Sequence, residues 1–438
     1  MKRLEGIHFY INIKNLNDVI LDEEKKGDVV HSIHALDTYF SSIEAFGKKH
    51  FPDTFVVEKI TGSRLHMYVL DEIGEAFNVV AEVVGFAGEL TRYINENISK
   101  YKTLMNFEIQ AGACYGHFYN FEFKRENADE ETTIGYAANY AAKLQGLSSV
   151  DCISISSNIY EYIDCEYRKR FVQRQSAKIG KYDQYCYYET IIANLKTSIK
   201  RADELEQCKN YANQLNLSDM NFRNAMKPLT FDELSKKECK KVEGIPLFAD
   251  VRGFTNQFDK EDANLEEMAE KTQNILASMY EVVEKQDGIH VQFQGDREFA
   301  LFHDYPGHEC CLDAVVAGLK IIDTVKEYQV SVGVGQSLGE MFAAKIGARG
   351  EKDYILVGST VIAADYYEDE MAEKNQLVIS KNIYNYLQTR KPRWAQMFKR
   401  LGECYCTTWG YKSLINEVSR TQLQNNNQQK NYNGAWGE

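Results

Sequence analysis

Apolar positions along the chain follow two different periods, and the order of the resulting segments occurs twice. Short runs rich in β-branched and aromatic residues predict strands, and longer segments with apolar residues at helical spacing predict helices. In the C-terminal half, Gly295-Asp296 between two apolar runs predicts a β-hairpin. The predicted order is strand, helix, hairpin, helix and strand, over Ile245–Ala249, Asn264–Lys285, His290–Gln294 with Glu298–Phe302, Glu309–Tyr328 and Val330–Val334.

The N-terminal half has the same order of predicted elements, which indicates an internal repeat. The offset between corresponding residues is constant from Gly112 and Gly335 to Gly135 and Gly358, which is difficult to obtain by chance. The matching elements are Gly6–Ile13, His31–His50, Thr54–Lys59 with Leu65–Leu70, Ile73–Lys100 and Met105–Gly112.

The size and composition of the chain suit two globular domains. Its 438 residues exceed the usual size of a single core, and 44% hydrophobic residues supply ample apolar surface for burial. We expect one domain over residues 1–190 and a second over 241–415. A charged, helical connector would cover 191–240, and a disordered tail rich in Asn and Gln would cover 416–438.

Charge and sequence pattern exclude several classes of function. A net charge of −13 argues against broad nucleic-acid binding, which requires basic surface. The chain contains no apolar run of about 18 residues, so we expect neither a membrane span nor a signal peptide. The ten cysteines lack zinc-site spacing, and we therefore expect reduced thiols in a cytoplasmic protein.

Two aspartates of the C-terminal half suit a metal site. Asp250 follows an apolar strand and Asp296 lies at the hairpin bend, so adjacent strands would bring both carboxylates together. This is unfavourable unless a divalent cation lies between them. Two cations, Mg²⁺ or Mn²⁺, could then activate a ribose 3′-hydroxyl and neutralise a departing pyrophosphate. The amides of Gly253, Phe254 and Thr255 would bind the β- and γ-phosphates. Alternatively, the two aspartates are only a helix cap and a turn residue.

The two halves have diverged reciprocally at the key positions. Where the C-terminal half has the two aspartates, the N-terminal half has Asn12 and Ser63. Two polar residues of the N-terminal half are apolar or aromatic in the other copy, and the pairs are Asn139 with Ile362 and Lys143 with Tyr366. One active site shared between two unequal halves would leave such a pattern.

The C-terminal motifs resemble those of the class III nucleotidyl cyclases, the adenylyl and guanylyl type. They are Phe-Ala-Asp-Val-Arg-Gly-Phe-Thr from Phe248, Gln-Gly-Asp-Arg-Glu-Phe-Ala-Leu-Phe from Gln294 and Ala-Lys-Ile-Gly-Ala-Arg-Gly-Glu-Lys-Asp-Tyr from Ala344. The match spans Gly244–Asn385, and Gly6–Glu189 is similar but degenerate. The resemblance implies an α+β fold with two ferredoxin-like (βαββαβ) domains, which meet head to tail as an intramolecular pseudo-heterodimer.

The resemblance also implies roles for individual residues. Asp250 and Asp296 would be the metal ligands, with assistance from the carbonyl of Val251. Asn139 would orient the ribose, and Lys143 takes the place of an arginine that stabilises the pentacovalent phosphorus. Lysine retains the charge of that arginine but loses its planar fork.

Further phosphate contacts and an inactive second site follow from the same resemblance. Lys178 or Lys181 lies near the family's phosphate-binding lysine, and Arg349 is placed to reach the phosphates. We expect the mirror-image site to be inactive, since it would combine Asn12 and Ser63 with Gln292, Ile355, Ile362 and Tyr366.

Lys59 and Thr132 occupy the base-reading positions of the family. Lysine only donates hydrogen bonds, whereas threonine can accept one. This pair suits a base with a ring-nitrogen acceptor beside an exocyclic amine, as in ATP or CTP. A rotated threonine hydroxyl leaves GTP and UTP open, and the sequence does not show the pocket length that separates purines from pyrimidines.

The leading hypothesis is a phosphorus-oxygen lyase that cyclises a nucleoside triphosphate to a 3′,5′-cyclic nucleotide second messenger. The chain resembles the bacterial Pycsar pyrimidine cyclases, which make cCMP or cUMP in antiphage signalling and act through a downstream effector protein. The alternatives are an adenylate cyclase that makes cAMP and a non-catalytic nucleotide sensor. Since both halves lie in one chain, the catalytic unit would be a monomer, or else a homodimer.

Overall fold

The structure is a computed structural model that describes residues 2–27, 29–123, 130–176, 186–215, 221–231, 234–235, 238–253, 265–347 and 354–420. Within these residues, each half of the chain forms one sheet with helices packed against it. The expected α+β fold with two sheet–helix domains is therefore confirmed.

The N-terminal domain contains a sheet of eight described strands. Its elements are β1 (Lys2–Ile13), α1 (Leu16–Glu24), α2 (Val30–His50), β2 (Phe55–Thr61), β3 (Arg64–Val69), α3 (Ile73–Asn97), β4 (Ile109–Phe123), β5 (Glu130–Ile134), α4 (Tyr136–Leu147), β6 (Cys152–Ile155), α5 (Ser157–Tyr162), α6 (Cys165–Arg168), β7 (Val172–Gln175) and β8 (Cys186–Ile191), with 3₁₀ turns at Ser99–Tyr101 and Ile192–Asn194. The strand order is β2-β3-β1-β4-β6-β8-β7, and β5 pairs with β4.

The connecting segment and the C-terminal domain follow. Their elements are α7 (Ala202–Gln214), β9 (Asn221–Asn224), β10 (Glu238–Arg252), α8 (Leu265–Glu284), β11 (Ile289–Gln294), β12 (Arg297–His303), α9 (Cys311–Glu327), β13 (Ser331–Gln336), β14 (Gly339–Lys345), β15 (Tyr354–Val357), α10 (Ser359–Tyr366), a π-helical turn (Tyr367–Met371), β16 (Gln376–Ile379), α11 (Lys381–Arg390), α12 (Pro392–Ala395), β17 (Lys399–Leu401), β18 (Cys404–Thr407) and a helix over 411–420. The strand order is β11-β12-β10-β13-β16-β18-β17.

The two sheets confirm the repeat. In both, the hairpin lies beside the first strand, and the strand after the second long helix lies on the other side of that first strand. Gly112 of β4 and Gly335 of β13 allow the same close approach, because a Cβ at either would collide with the helix that crosses it, α4 or α10. The two copies therefore share the backbone packing that positions the site helices.

Burial alternates along the first strand of each copy and defines two faces of each sheet. In β10, Leu247 and Ala249 pack in the core beneath α8 and α9, whereas Phe248 and Asp250 lie on the opposite face. In β1, Phe9 faces the core of α2 and α3, and Tyr10 lies on the face covered by α4.

The halves exchange hydrophobic side chains across the interface between them. Ile134 of β5 belongs to the core of the C-terminal domain. In return, the core of the N-terminal domain contains five residues of the β14–β15 region, namely Phe342, Ala344, Ile346, Ile355 and Val357. Each half thus packs one strand region against the core of the other half, β5 in one direction and β14–β15 in the other. This is the head-to-tail arrangement that the resemblance implies.

Several predicted boundaries differ from the structure. Strand β10 begins at Glu238 rather than Ile245, because its charged first part pairs with β14 and β9 and has no apolar run. Strand β4 continues beyond Gly112 to pair with β5. The connector contains a strand, β9, as well as a helix, and the final helix extends to residue 420, past the predicted start of the tail.

The cysteines and the long helices were also the subject of predictions from the sequence. None of the ten cysteines, all of which lie within the described residues, is paired in a disulfide. None of the described helices is both long enough and apolar enough to cross a lipid bilayer.

Candidate active site

The two aspartates meet at the end of β10. Asp250 pairs directly with Arg297 at the start of β12, so Asp296, the residue before it, lies beside Asp250. Burial and the neighbouring Asp296 raise the pKa of Asp250, and burial also raises the pKa of Asp296. The structure therefore brings together two carboxylates whose ionised forms disfavour each other.

The carboxylate pair fits a divalent cation that is completed by a phosphate ligand. The described residues contain no cluster of three or more acidic, His or Cys side chains that could hold a metal alone. Within the same residues, Asp296 Oδ2 is buried and accepts no hydrogen bond, whereas Asp250 is 27% exposed on the same face. Magnesium in phosphate-transfer sites is often held by one or two carboxylates and the substrate phosphates.

Two arginines flank Asp250, and the sequence analysis assigned no role to either. Arg252 Nη1 lies 3.1 Å from Asp250 Oδ2, and Arg252 Nη2 lies 2.6 Å from Glu368 Oε1. Arg297 lies 2.6 Å from Asp365 and 2.7 Å from the other oxygen of Glu368, with its guanidinium over the ring of Phe248. The π-helical turn after α10 carries Glu368, and no spacing in the sequence indicates this contact.

Helix α4 brings the N-terminal half to the aspartates. It begins after Gly135, whose φ of 145° favours glycine, and Asn139 and Lys143 are both half-buried one turn apart. Burial raises the pKa of Asp296, and the charge of Lys143 on the other half lowers it, so the two groups interact electrostatically across the seam. The structure thus brings Lys143 to the predicted site, and Asn139 lies on the adjacent turn of the same helix face.

The predicted base-reading residues are in direct contact. Lys59 Nζ donates to Thr132 Oγ1 at 2.8 Å and, across the seam, to the carbonyl of Phe293 at 3.0 Å. Strand β5 is fixed against β2 because Glu58 accepts hydrogen bonds from the amide and the hydroxyl of Thr133. Since Phe293 belongs to the hairpin that carries Asp296, base-reading and metal-binding positions lie along one seam, which is called the catalytic seam below.

A third polar residue lies at this position, and the sequence analysis did not identify it. Glu130 Oε1 lies 3.2 Å from Lys59 Nζ and accepts a hydrogen bond of 2.9 Å from the amide of Phe293. Glu130 Oε2 lies 3.0 Å from His290 Nε2. Glu130 precedes Thr132 by two positions in a strand, so period-2 alternation could have indicated that both face the seam.

The second seam between the halves, called the mirror seam, has Asn12 and Ser63 where the catalytic seam has the two aspartates, and it is neutral at these two positions. Ser63 Oγ donates to Asn12 Oδ1 at 2.6 Å, in place of the paired carboxylates. A cavity of about 360 Å³ lies here, and its walls include Ser63, Gln292, Ile355 and Ile362. Asp250 alone of the acidic pair lines it, so Asp250 lies at the boundary of both seams. The other charged lining residues are Arg64, Arg297, Asp365, Glu368 and Asp369.

The remaining predicted site residues have mixed outcomes. Val251 follows Asp250 with its side chain in the core, and Gly253 ends the described part of this segment with a φ of 75°. The other predicted phosphate-binding residues lie outside the described residues, and they are Phe254, Thr255, Lys178, Lys181 and Arg349.

Residues 236–405 match the family model for the adenylate and guanylate cyclase catalytic domain. This part of the chain is similar to the class III cyclases. No curated protein matches the chain.

One solved structure of a cyclase-like protein has the same fold over both halves. A class III adenylyl cyclase-like ATP-binding protein from Pseudomonas aeruginosa is similar over 95% of this chain and 90% of its own, with a TM-score of 0.67 and 16% identity. The adenylyl cyclase CyaB from P. aeruginosa covers 35% of this chain and 84% of its own, with 23% identity and a TM-score of 0.33. The guanylate cyclase domain of RhGC from Catenaria anguillulae, in complex with GTP, covers 38% and 96%, with 18% identity and a TM-score of 0.33.

Proposed function

We propose that the protein is a nucleotidyl cyclase that converts a nucleoside triphosphate to a 3′,5′-cyclic nucleotide and pyrophosphate. The observation that carries this proposal is the asymmetry of the catalytic seam. The C-terminal half supplies Asp250 and Asp296, and the N-terminal half supplies Lys143 from α4 and Lys59 from β2. A nucleotide placed along this seam would have its triphosphate beside the acidic pair and its base near Lys59.

Each part of the seam has a chemical task in this proposal. Asp250 and Asp296 would hold two divalent cations, the class of metal that class III cyclases use, with the Val251 carbonyl as a further ligand. The bound cations would stabilise the charge on the phosphates. Asn139 would orient the ribose, and Lys143 would stabilise the negative charge that develops at phosphorus. Catalysis would then depend on position and electrostatics rather than on a covalent intermediate.

The base-reading pair favours CTP or ATP. Lys59 supplies hydrogen-bond donors, and Thr132 can accept from an exocyclic amine. We favour cCMP or cUMP as the product, made in the cytoplasm to activate an effector in antiphage defence, because the chain resembles Pycsar cyclases. The alternative product is cAMP. It is supported by Lys59 and Thr132 and by the similarity in fold to a protein described as ATP-binding.

A nucleotide sensor without turnover is the second candidate. One observation favours it: Arg252 already forms an ion pair with Asp250, so a cation must compete with a guanidinium for this carboxylate. Retention of both aspartates in one half argues against it, since a sensor does not require paired metal ligands.

The test is to incubate the purified protein with Mg²⁺ or Mn²⁺ and ATP, CTP, GTP or UTP separately, and to identify the products by mass. Cyclic CMP or UMP would support the pyrimidine cyclase, and cyclic AMP the alternative. If no nucleotide is cyclised with either metal but at least one of the nucleotides binds, the protein is a nucleotide sensor.

A further inference from the structure

The Lys59 ammonium has no unused hydrogen-bond donor in this structure. Its side chain is 6% exposed, and it donates three hydrogen bonds, to Thr132, the Phe293 carbonyl and Glu130. The carboxylate of Glu58 lies 3.8 Å away as an ion-pair partner. An ammonium has three N–H groups. A nucleobase can therefore accept from Lys59 only if one of these bonds is exchanged.

Glu130 is the partner best suited to that exchange. Its contact with Lys59 is the longest of the three, at 3.2 Å. The Phe293 carbonyl and the Thr132 hydroxyl carry no charge, whereas the Glu130 carboxylate can take a charge-assisted hydrogen bond from a base N–H in return. If Lys59 turns from Glu130 to a base acceptor and Glu130 accepts a base N–H, the number of hydrogen bonds is conserved.

The position of the Glu130 carboxylate is fixed from the opposite half of the chain. The amide of Phe293 donates to Oε1 at 2.9 Å, and His290 Nε2 lies 3.0 Å from Oε2. The other ring nitrogen of His290 lies 2.6 Å from the buried Glu298. The acceptor and the Lys59 donor therefore present a fixed order toward the seam.

The order of donor and acceptor distinguishes two classes of base. Adenine and cytosine present an exocyclic amine beside a ring-nitrogen acceptor, and these are the amino bases. Guanine and uracil present a carbonyl oxygen beside a ring N–H, and these keto bases have the opposite order. Thr132 cannot enforce the choice, because its hydroxyl can rotate to donate or accept, but an ionised carboxylate can only accept.

We propose that Glu130 is a specificity-determining residue, the fixed acceptor with which the catalytic seam selects amino bases over keto bases. This rests on the proposed function only in that the seam binds a nucleoside triphosphate, and it does not require turnover. It also assigns Lys59 to a pair with Glu130, rather than to Thr132 alone.

Binding of nucleotides that cannot be cyclised tests the proposal. The α,β-methylene analogues of ATP, CTP, GTP and UTP are titrated with Mn²⁺ into the full chain and its variants, and tripolyphosphate reports on the phosphate site alone. In E130Q the amide can present either an oxygen or an N–H, so the preference for amino over keto bases should fall by about tenfold or more. E130D remains an acceptor and should retain the preference at lower affinity. The matched control is E131Q, since Glu131 is exposed and adjacent in the strand.

Each outcome decides the proposal. The proposal is supported if E130Q loses the preference for amino over keto bases while its affinity for tripolyphosphate is unchanged and E130D keeps the preference. Equal weakening of all four analogues and of tripolyphosphate in both variants means that Glu130 only braces the seam, which overturns it. A wild-type chain that does not distinguish the bases also overturns it. Selective binding without cyclisation by the wild type would refute the proposed enzyme but leave the role of Glu130 intact.

Discussion

The two seams between the halves share a backbone and differ in charge. At the catalytic seam, Asp250 and Asp296 lie side by side with raised pKa values, so their ionised forms oppose folding in the absence of a cation. At the mirror seam, Asn12 and Ser63 share a neutral hydrogen bond of 2.6 Å. Like charges are retained at only one of two equivalent positions, which is expected if that position is kept for binding a cation and the other is free to relax.

The helices that face these pairs show the complementary difference. Helices α4 and α10 cross their sheets at equivalent glycines, Gly112 and Gly335. On α4 the half-buried Lys143 interacts with Asp296, whereas the corresponding Tyr366 on α10 is 51% exposed and does not line the mirror cavity. The comparison therefore predicts that substitutions at matched positions have unequal effects.

The largest difference is expected between the two polar pairs. Asp296→Asn removes a proposed metal ligand without changing shape, and turnover should fall by roughly 1,000-fold or more. Ser63→Ala at the mirror position should leave turnover within about twofold, since surface-like substitutions away from the site are usually mild. Initial rates of cyclic nucleotide formation measure both effects. An Asp250→Ala/Asp296→Ala double variant that remained active would contradict the site assignment.

Helix α4 should show the next largest effect. Lys143→Met removes the charge proposed to stabilise the phosphorus, and we expect kcat to fall by about 100-fold while KM changes little. Tyr366→Ala is its matched control and should retain nearly all activity. A collapse of turnover in the control would mean that the active seam is the other one.

Base recognition should be affected less than chemistry. Lys59→Met removes the donor that contacts Thr132, and kcat/KM for the preferred nucleotide should fall by roughly 10- to 100-fold, mainly through KM. The equivalent residue of the other half is Gln292, and Gln292→Met should have no comparable effect. Steady-state kinetics with all four nucleotides make the comparison, and equal losses in both variants would contradict the assignment of the base pocket.

The smallest effect concerns stability and its dependence on pH. Burial and Asp296 raise the pKa of Asp250 from 3.8 to about 7, so the folded state binds a proton that the unfolded state has lost. Without metal, stability should rise as pH is lowered from 8 to 6, and Asp250→Asn should remove part of that rise. Thermal melts should show a shift of a few degrees, about 2–4 °C per kcal/mol for domains of this size. Ser63→Ala should keep the wild-type pH dependence, and a melting temperature that falls with acidification would oppose the account.

Much of the fold was predictable because it depends on local patterns. Alternation and helical spacing identified the elements of both copies, and the resemblance to the cyclase family assigned Lys59 and Thr132 to base reading, where the structure shows them in contact. Contacts between elements far apart in the chain were not predictable in this way. Glu130 meets Phe293 and His290 only because the two domains dock, and Glu368 reaches Arg252 only through a π-helical turn. The residues in these contacts are not separated by any spacing that is characteristic of a known sequence pattern.

The central claim is that one seam binds nucleotide and its mirror image does not. The most direct measurement is the number of nucleotides bound per chain, by calorimetric titration of the α,β-methylene analogue of the preferred substrate with Mn²⁺. The account predicts a single site that Asp296→Asn weakens strongly and Ser63→Ala leaves unchanged. Two equivalent sites, or a site lost in Ser63→Ala and retained in Asp296→Asn, would contradict it.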